Sequence, residues 1–329
     1  MKIGFIISQM TYLKYYMPLI IRANDFGIKS VLYMSHLSSG KYCGLKKHAK
    51  NLKKLSEKYS CGLKGVSEID DSCSVFFVME GVGIKYVPQK AKKISMTYIT
   101  DFTVHYDKYI DKVDGVIFPS EFLPKHYGKF SDKNMYLGCS KYDVEFDKEE
   151  IKEKYSIKDR SALILYPSMG HLNSKYGVHK FKFKKFYKHL HKMGYNVIVK
   201  ARGKNPAPPN ERGDLYIQDG SWFPHDTMEL MSVCDFSVGF DTGGAKESIM
   251  ISKPFVNLKV IRKYDTFFPF FYDDKCSLSL DCRMPFEEIE SRINGALKCN
   301  ESDFVNLRDY CLFNEKDSSY RILKEVCGV

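Results

Sequence analysis

Residues 235–258, DFSVGFDTGGAKESIMISKPFVNL, hold the residue types and spacing best suited to binding a phosphate or diphosphate. The stretch reads as a strand (236–240), a tight turn Asp241-Thr242-Gly243-Gly244, a short helix (245–252), a stop at Pro254 and a second strand (255–258). Paired glycines let a backbone approach a ligand closely and take positive φ. Thr242 is placed to cap the helix by accepting from the Ala245 N–H. The expected product is a helix N-terminus with free N–H groups and a partial positive charge at a strand end. An ordinary strand-to-helix turn could carry the same glycines, so the surrounding elements must decide.

Those elements alternate. The first half offers strands at 2–8, 30–34, 74–78, 94–98, 115–119 and 135–138, with helical patterns at 13–25 and 45–59. Residues 141–159, rich in charge and poor in strand signal, read as a linker with a short helix. A second series follows, with strands at 162–166, 196–200, 215–218, 236–240 and 255–258 and helices at 180–193, 227–234 and 245–252. Asp226 and Glu229 fit a capping box on the middle helix, and residues 285–298 and 301–326 read as two or three further helices. Strands alternating with helices predict parallel sheets covered on both faces. The expected architecture is α/β: two doubly wound Rossmann-like domains, 1–150 and 151–329, facing a cleft, with the last helix a candidate to cross back to the first domain. Ligands in such sheets sit at the carboxyl ends of strands, often where strand order reverses.

Composition narrows the function classes. The 329 residues are 44% hydrophobic and 28% charged, enough to bury two cores. No apolar run of about 18 residues predicts a membrane span, and the opening KIGFIIS lacks the features of a signal peptide. The 10 cysteines are scattered singly, as expected of reduced, mostly buried thiols in a cytoplasmic protein. No C-x-x-C or H-E-x-x-H pair predicts a metal site. The first strand runs into SQMTYLKYYMP without glycine, and no P-loop exists, so neither a dinucleotide dehydrogenase nor a Walker-type NTPase is indicated. The net charge is +11, with lysines gathered at 46–64 and 175–192. Apolar residues recur at helical spacing within both clusters, so each reads first as an amphipathic surface helix and second as a face for an anionic partner.

Three blocks of the second half, LILYPSMGH, NVIVKARGKNP and HDTMELMSVCDFSVGFDTGGAKESIMISKPFVNL, resemble in this order the nucleotide-binding domain of GT-B glycosyltransferases. Similar enzymes are the CDP-glycerol glycerophosphotransferase-like proteins and the hydrolysing UDP-N-acetylglucosamine 2-epimerases. The matching features are Thr242-Gly243-Gly244, Glu247 and Lys253-Pro254. In the first half, YITDFTVHYDKYIDKVDGVIFPSEF gives a weaker echo of the late N-domain. The resemblance implies a nucleotide-activated donor (UDP-, CDP- or GDP-linked) on the second domain and no required cofactor or metal. It implies the diphosphate on Gly243 and Gly244, with phosphate contacts from Lys200 or Arg202 and from the Ser168–Gly170 turn. Glu247 would accept from ribose hydroxyls, and the loop carrying Trp222 would flank the base.

For inverting transfer the first domain must supply a base for the acceptor hydroxyl. Asp101, just after the strand at 94–98, is the first candidate, although it could equally cap a helix over FTVHYDKYI. His36, His105 and Glu121 are alternatives. The leading expectation is a glycosyltransferase building a cell-surface glycan such as a capsule or lipopolysaccharide. Its acceptor would be a glycan or lipid-linked, an anionic one suiting the lysine-rich helices, which could also meet the inner membrane surface. A UDP-sugar 2-epimerase is the first alternative, although Ser8-Gln9-Met10-Thr11 stands where those enzymes carry a Gly-Thr-Arg-Pro-Glu-like turn. A glycerophosphotransferase is another, although its acceptor-side His-Gly pair has no match here. A nucleic-acid-binding protein is a distant third; no such module is recognised, and no nucleic-acid partner is expected.

Overall fold

The computed structural model describes residues 1–35, 44–98, 105–167, 181–203, 205–220, 222–259, 271–311 and 317–329. The chain divides into two compact units. Unit 1 comprises Met1–Val144 and Leu312–Val329, and unit 2 comprises Glu145–Cys311.

Unit 1 is built on seven strands: β1 (Lys2–Ile7), β2 (Lys29–Met34), β3 (Gly62–Gly65), β4 (Val75–Met79), β5 (Lys92–Met96), β6 (Gly115–Phe118) and β7 (Asn134–Tyr136). Their order is β3-β2-β1-β4-β5-β6-β7, and every pairing is parallel, as in Gly4 opposite both Val31 and Phe76. Parallel strands lie under helices on both faces and so read as continuous apolar runs. VFFVM of β4 is buried at every position. β3, sequence GLKG, is a half-exposed edge strand with neither an apolar run nor alternation, and the sequence pattern gave no sign of it.

Helix α1 (Leu13–Asp25) presents Tyr16, Leu19, Ile20 and Ala23 to the core. The pattern at 45–59 begins as a 3-10 turn over Leu45–His48 and becomes α2 (Ala49–Lys58). Short helices α3 (Tyr106–Tyr109) and α4 (Phe122–His126) flank β6.

Unit 2 opens with α5 (Lys148–Tyr155), capped by Asp147, whose carboxylate accepts from Glu149 N and Glu150 N. Six strands follow: β8 (Ser161–Leu165), β9 (Asn196–Ala201), β10 (Leu215–Gln218), β11 (Phe236–Gly239), β12 (Phe255–Lys259) and β13 (Ser277–Asp281). They pair in parallel in the order β10-β9-β8-β11-β12-β13. The sequence expectation stopped at β12; β13, SLSLD, is short and holds two serines and an aspartate, yet it buries Leu278 and Leu280 in the core. In both units the first strand lies beside the fourth, the point where the winding reverses.

Among the described residues, unit 2 also holds helices α6 (Phe183–Lys192), α7 (Asp226–Val233), α8 (Gly244–Met250), α9 (Phe286–Ala296) and α10 (Glu301–Cys311). An aromatic layer of Phe181, Phe183, Phe186, Phe236 and Phe240 fills its core, with ring centroids 4.9 to 5.4 Å apart for Phe181 against Phe183, Phe186 and Phe240.

The tail pattern at 301–326 is two helices, α10 and α11 (Ser318–Cys327). Asp317 stands at the N-cap of α11 in the left-handed region, φ 67°. Helix α11 belongs to unit 1. Ser318 Oγ accepts from Cys139 N at 3.1 Å, Arg22 pairs with Asp317 at 2.7 Å, and Asp143 accepts from Ser318 N and Ser319 N. Burial raises the Asp143 carboxyl above its ordinary value despite these donors.

One capping expectation fails. Asp226 is the first residue of α7, and His225 holds the N-cap without a side-chain bond. Glu229 does not reach back. It accepts from Lys154 Nζ at 2.8 Å and Tyr155 Oη at 2.7 Å and ties α7 to α5. A buried carboxylate with two charge-assisted or hydroxyl donors from tertiary neighbours gains more than from one backbone N–H.

Candidate functional site

The turn after β11 lies at the β8/β11 reversal, at the carboxyl end of the sheet. Its backbone differs from the sequence expectation. Gly243 has φ −64° and is the N-cap of α8, and the left-handed residue is Asp241, φ 42°. A non-glycine residue there costs about 1–2 kcal/mol unless its surroundings hold it. Asn257 of β12, fully buried, holds it: Asn257 Oδ1 accepts from Asp241 N at 2.7 Å and Nδ2 donates to Asp241 Oδ1 at 2.9 Å. Asn257 Nδ2 also reaches Ser279 Oγ of β13 at 3.3 Å.

Thr242 does not cap Ala245. Its Oγ1 lies 3.5 Å from Gly244 N, because the helix starts one residue earlier than the pattern suggests. Gly244 is required by packing rather than by φ: a Cβ there would stand 2.4 Å from Leu165 Cδ1, with Met231 and Phe255 behind. Gly243 is open on its own side, where Lys246 Cε and Nζ lie 3.6 and 4.0 Å from the position of a Cβ. Lys246 is thus a cation beside the turn that the sequence pattern did not single out.

Glu247 follows in the same helix, buried, with its Oε1 3.8 Å from His225 Nδ1 at the start of α7. Lys200, at the end of β9, is buried and does not project as a solvated phosphate ligand. It is paired with Asp219 and lies 3.9 Å from Asp226 Oδ2. Asp226 also accepts from Gly220 N at 3.3 Å. Lys200 therefore anchors the loop that leads to Trp222, itself partly buried. Arg202 is exposed, and its carbonyl accepts from Asn205 N at 2.8 Å. Ser168 and Gly170 lie outside the described residues.

In unit 1 the equivalent position, directly after β4 and beside the end of β1, is Glu80. It too is left-handed, φ 50°, and two glycines follow, Gly81 and Gly83. Gly81, φ 70°, packs so closely that a Cβ would stand 2.4 Å from Tyr109 Cβ. The Glu80 charge, behind the larger effect of burial, helps raise the phenol pKa of Tyr12 and Tyr109. An acid in strained backbone at the reversal of a doubly wound sheet is where binding and catalytic groups gather, and the sequence pattern passed over it. Asp101 and His36 lie outside the described residues. His105 is exposed with its Nδ1 3.3 Å from Lys108 Nζ, and Glu121 is exposed and paired with Lys125 at 2.8 Å.

Among the described residues, no group of three or more His, Cys, Asp or Glu side chains could hold a metal ion, and no helix is long and apolar enough to cross a membrane. The eight described free cysteines include five that are buried: Cys61, Cys73, Cys139, Cys234 and Cys276.

No protein-family model matches the sequence, and no curated protein matches it. Solved structures do match over the full length. The UDP-GlcNAc 2-epimerase of Methanocaldococcus jannaschii superposes with a TM-score of 0.67 at 11% identity, covering 100% of both chains. The UDP-GlcNAc 2-epimerase of Neisseria meningitidis, solved with UDP-GlcNAc, gives 0.64 at 10% identity and 100% of both chains. The spinosyn rhamnosyltransferase SpnG, solved with thymidine diphosphate, gives 0.54 at 10% identity and 100% of both chains. These likenesses, with the two parallel sheets and their strand orders, establish that the chain has the GT-B fold.

Proposed function

We propose that the protein acts on a nucleoside-diphosphate sugar held by unit 2 and transfers the sugar to an acceptor hydroxyl, in the synthesis of a cell-surface glycan. The observation that carries this reading is the Asp241–Gly244 turn at the β8/β11 reversal, pinned by Asn257. The solved structures with nucleotide ligands share this fold, which supports a nucleotide at the same edge. The turn N–H groups and Lys246 would take the diphosphate, and Glu247 the ribose hydroxyls. Lys200, through Asp219, would hold the Trp222 loop against the base. Arg202 and the Ser168–Gly170 turn remain candidates for further phosphate contact.

In the transfer a base takes the proton of the acceptor hydroxyl as its oxygen bonds to the anomeric carbon. The bond from that carbon to the diphosphate breaks, and the leaving diphosphate carries away the electron pair. Donors fixed beforehand around the developing charge stabilise it without reorganisation. Asp101 and Glu80 are the two candidate bases.

A second reading, sugar-nucleotide 2-epimerisation, draws support from the full-length likeness to UDP-GlcNAc 2-epimerases. One experiment separates the two. Thermal shift with UDP-, CDP- and GDP-sugars identifies the donor, and acceptor-free release of nucleotide is then measured. Stabilisation by a nucleotide sugar with turnover only when acceptor is added supports transfer. Acceptor-free release of UDP with a changed sugar supports epimerisation. No stabilisation by any nucleotide would overturn both.

A further inference from the structure

Unit 2 carries a concavity that the reading above does not use. A cavity of about 340 Å³ is lined by Phe181, Lys182 and Lys185 at the start of α6 and by Cys282, Arg283, Met284, Pro285 and Phe286 between β13 and α9. Its floor is apolar and its rim is cationic. The floor is structurally firm: Phe181 packs on Phe186 at 5.4 Å and on Phe286 at 6.2 Å. Arg283 is held by Asp281 across a bidentate pair, its Nε 2.8 Å from Oδ1. Lys182 and Lys185 are exposed and make no ion pair among the described residues.

The rim continues into a charged face. Helix α6, FKKFYKHLHK, has no acidic residue. Phe183, Phe186, Tyr187 and Leu190 are buried, and Lys184, Lys188 and Lys192 are exposed beside Lys182 and Lys185. The carboxylates beside this face are Asp281, paired with Arg283; Glu290 and Asp214, which pair with His189 and His191 of α6 at 2.7 and 2.8 Å; and the exposed Glu287 and Glu288 of the first turn of α9. Among the described residues the five exposed lysines make no ion pair, against two carboxylates, Glu287 and Glu288, that make none, so a ligand that satisfies both rim and floor joins an anionic head to an apolar body.

We propose that this cavity and the lysine face of α6 dock unit 2 on an anionic phospholipid bilayer, with one lipid phosphate at Lys182, Lys185 and Arg283 and the start of its chains over Phe181, Met284 and Phe286. The charge complementarity extends along a whole helix, beyond what one small anion would use, and the cavity falls within the size range of small-molecule sites. The surface stands independently of the sugar chemistry. It is nonetheless near it: Phe181 packs against Phe240 at 5.3 Å, and Phe240 directly precedes Asp241.

The test is co-sedimentation of the full chain with vesicles of phosphatidylcholine alone and of phosphatidylcholine with phosphatidylglycerol. Binding should need the anionic lipid and weaken with salt. Each lysine near an anionic surface changes partitioning about fivefold, so Lys182→Gln with Lys185→Gln should reduce it about thirtyfold. Met284→Glu, a change on the floor that leaves the lysines in place, should also abolish tight binding. Lys50→Gln with Lys54→Gln, on the other basic helix, should leave it within twofold. The proposal is overturned by equal sedimentation with both vesicle types or by unchanged binding of the α6 pair. It is also overturned if sn-glycerol 3-phosphate alone stabilises the protein through the same lysines while vesicles do not bind, since the site would then serve a free phosphate.

Discussion

Asn257→Ala is the sharpest perturbation of the Asp241–Gly244 turn. Asn257 accepts from Asp241 N at 2.7 Å and donates to Asp241 Oδ1 at 2.9 Å and to Ser279 Oγ at 3.3 Å. A neutral hydrogen bond contributes about 1 kcal/mol net and one to a charged group about 1.5–3 kcal/mol. Asp241 is partly exposed, so its carboxylate regains some water in the variant. The expected loss is then about 2–3 kcal/mol, or ~4–12 °C in Tm for a unit of this size. The partner variants sharpen the logic. Asp241→Gly should cost about 1 kcal/mol less than Asp241→Ala, because glycine accepts φ 42° without strain. A double-mutant cycle of Asn257→Ala with Asp241→Ala should give a coupling of about 1.5 kcal/mol or more by urea denaturation. Nucleotide affinity, measured well below the melting range, should fall at least about tenfold as the turn loses its fixed shape. A coupling within about 0.5 kcal/mol of zero, or unchanged nucleotide affinity in the folded variant, would refute the idea that Asn257 sets the turn.

Three further outcomes follow from the same geometry. Either Glu80→Gln or Asp101→Asn should lower turnover at least about a hundredfold with nucleotide binding unchanged; whichever leaves turnover intact is not the base, and the idea fails if both do. Lys200→Met should destabilise unit 2 by about 3–5 kcal/mol by stranding the Asp219 and Asp226 carboxylates. Adding Asp219→Asn and Asp226→Asn should recover much of that loss in urea titrations, and a cost below about 1 kcal/mol for Lys200→Met would count against the anchoring role. Asp143 has a raised carboxyl pKa in the fold because it is buried. A raised pKa gives stability that is present at low pH and lost as pH rises through the folded value. The Tm of Asp143→Asn minus that of the unsubstituted chain should therefore climb as pH rises above the ordinary carboxylate range, and a flat or falling difference would contradict the assignment.

Much of this fold is legible because parallel, doubly covered strands must be apolar throughout, as KIGFII and VFFVM are. The strands missed, GLKG and SLSLD, are edge strands of their sheets, stabilised by their neighbours more than by their own composition. The candidate turn was legible in its position between strand and helix but not in its detail. Thr242-Gly243-Gly244 marks the turn, yet the residue that takes the left-handed backbone is Asp241, and its support is an asparagine of the next strand. Lys200 looks like a phosphate ligand in one dimension, and its commitment to Asp219 depends on a loop 19 residues away. Lys246 and Glu80 carry no sequence signature, because what distinguishes them is where a glycine leaves room and where a backbone is strained.

The return of Leu312–Val329 to unit 1 has a consequence for synthesis of the chain. Unit 2 is an insertion between two parts of unit 1. Vectorial translation therefore completes the later unit first: Glu145–Cys311 can close its sheet while unit 1 still lacks its final helix. Until α11 arrives, the surface of α1 and the Cys139–Asp143 segment that it covers stays exposed, with Ile322, Leu323 and Val326 still to be added. During that interval unit 1 is the partner for chaperones and the route to aggregation. A stop codon just before Asp317 should leave unit 2 able to fold while making unit 1 the protease-sensitive half of the molecule.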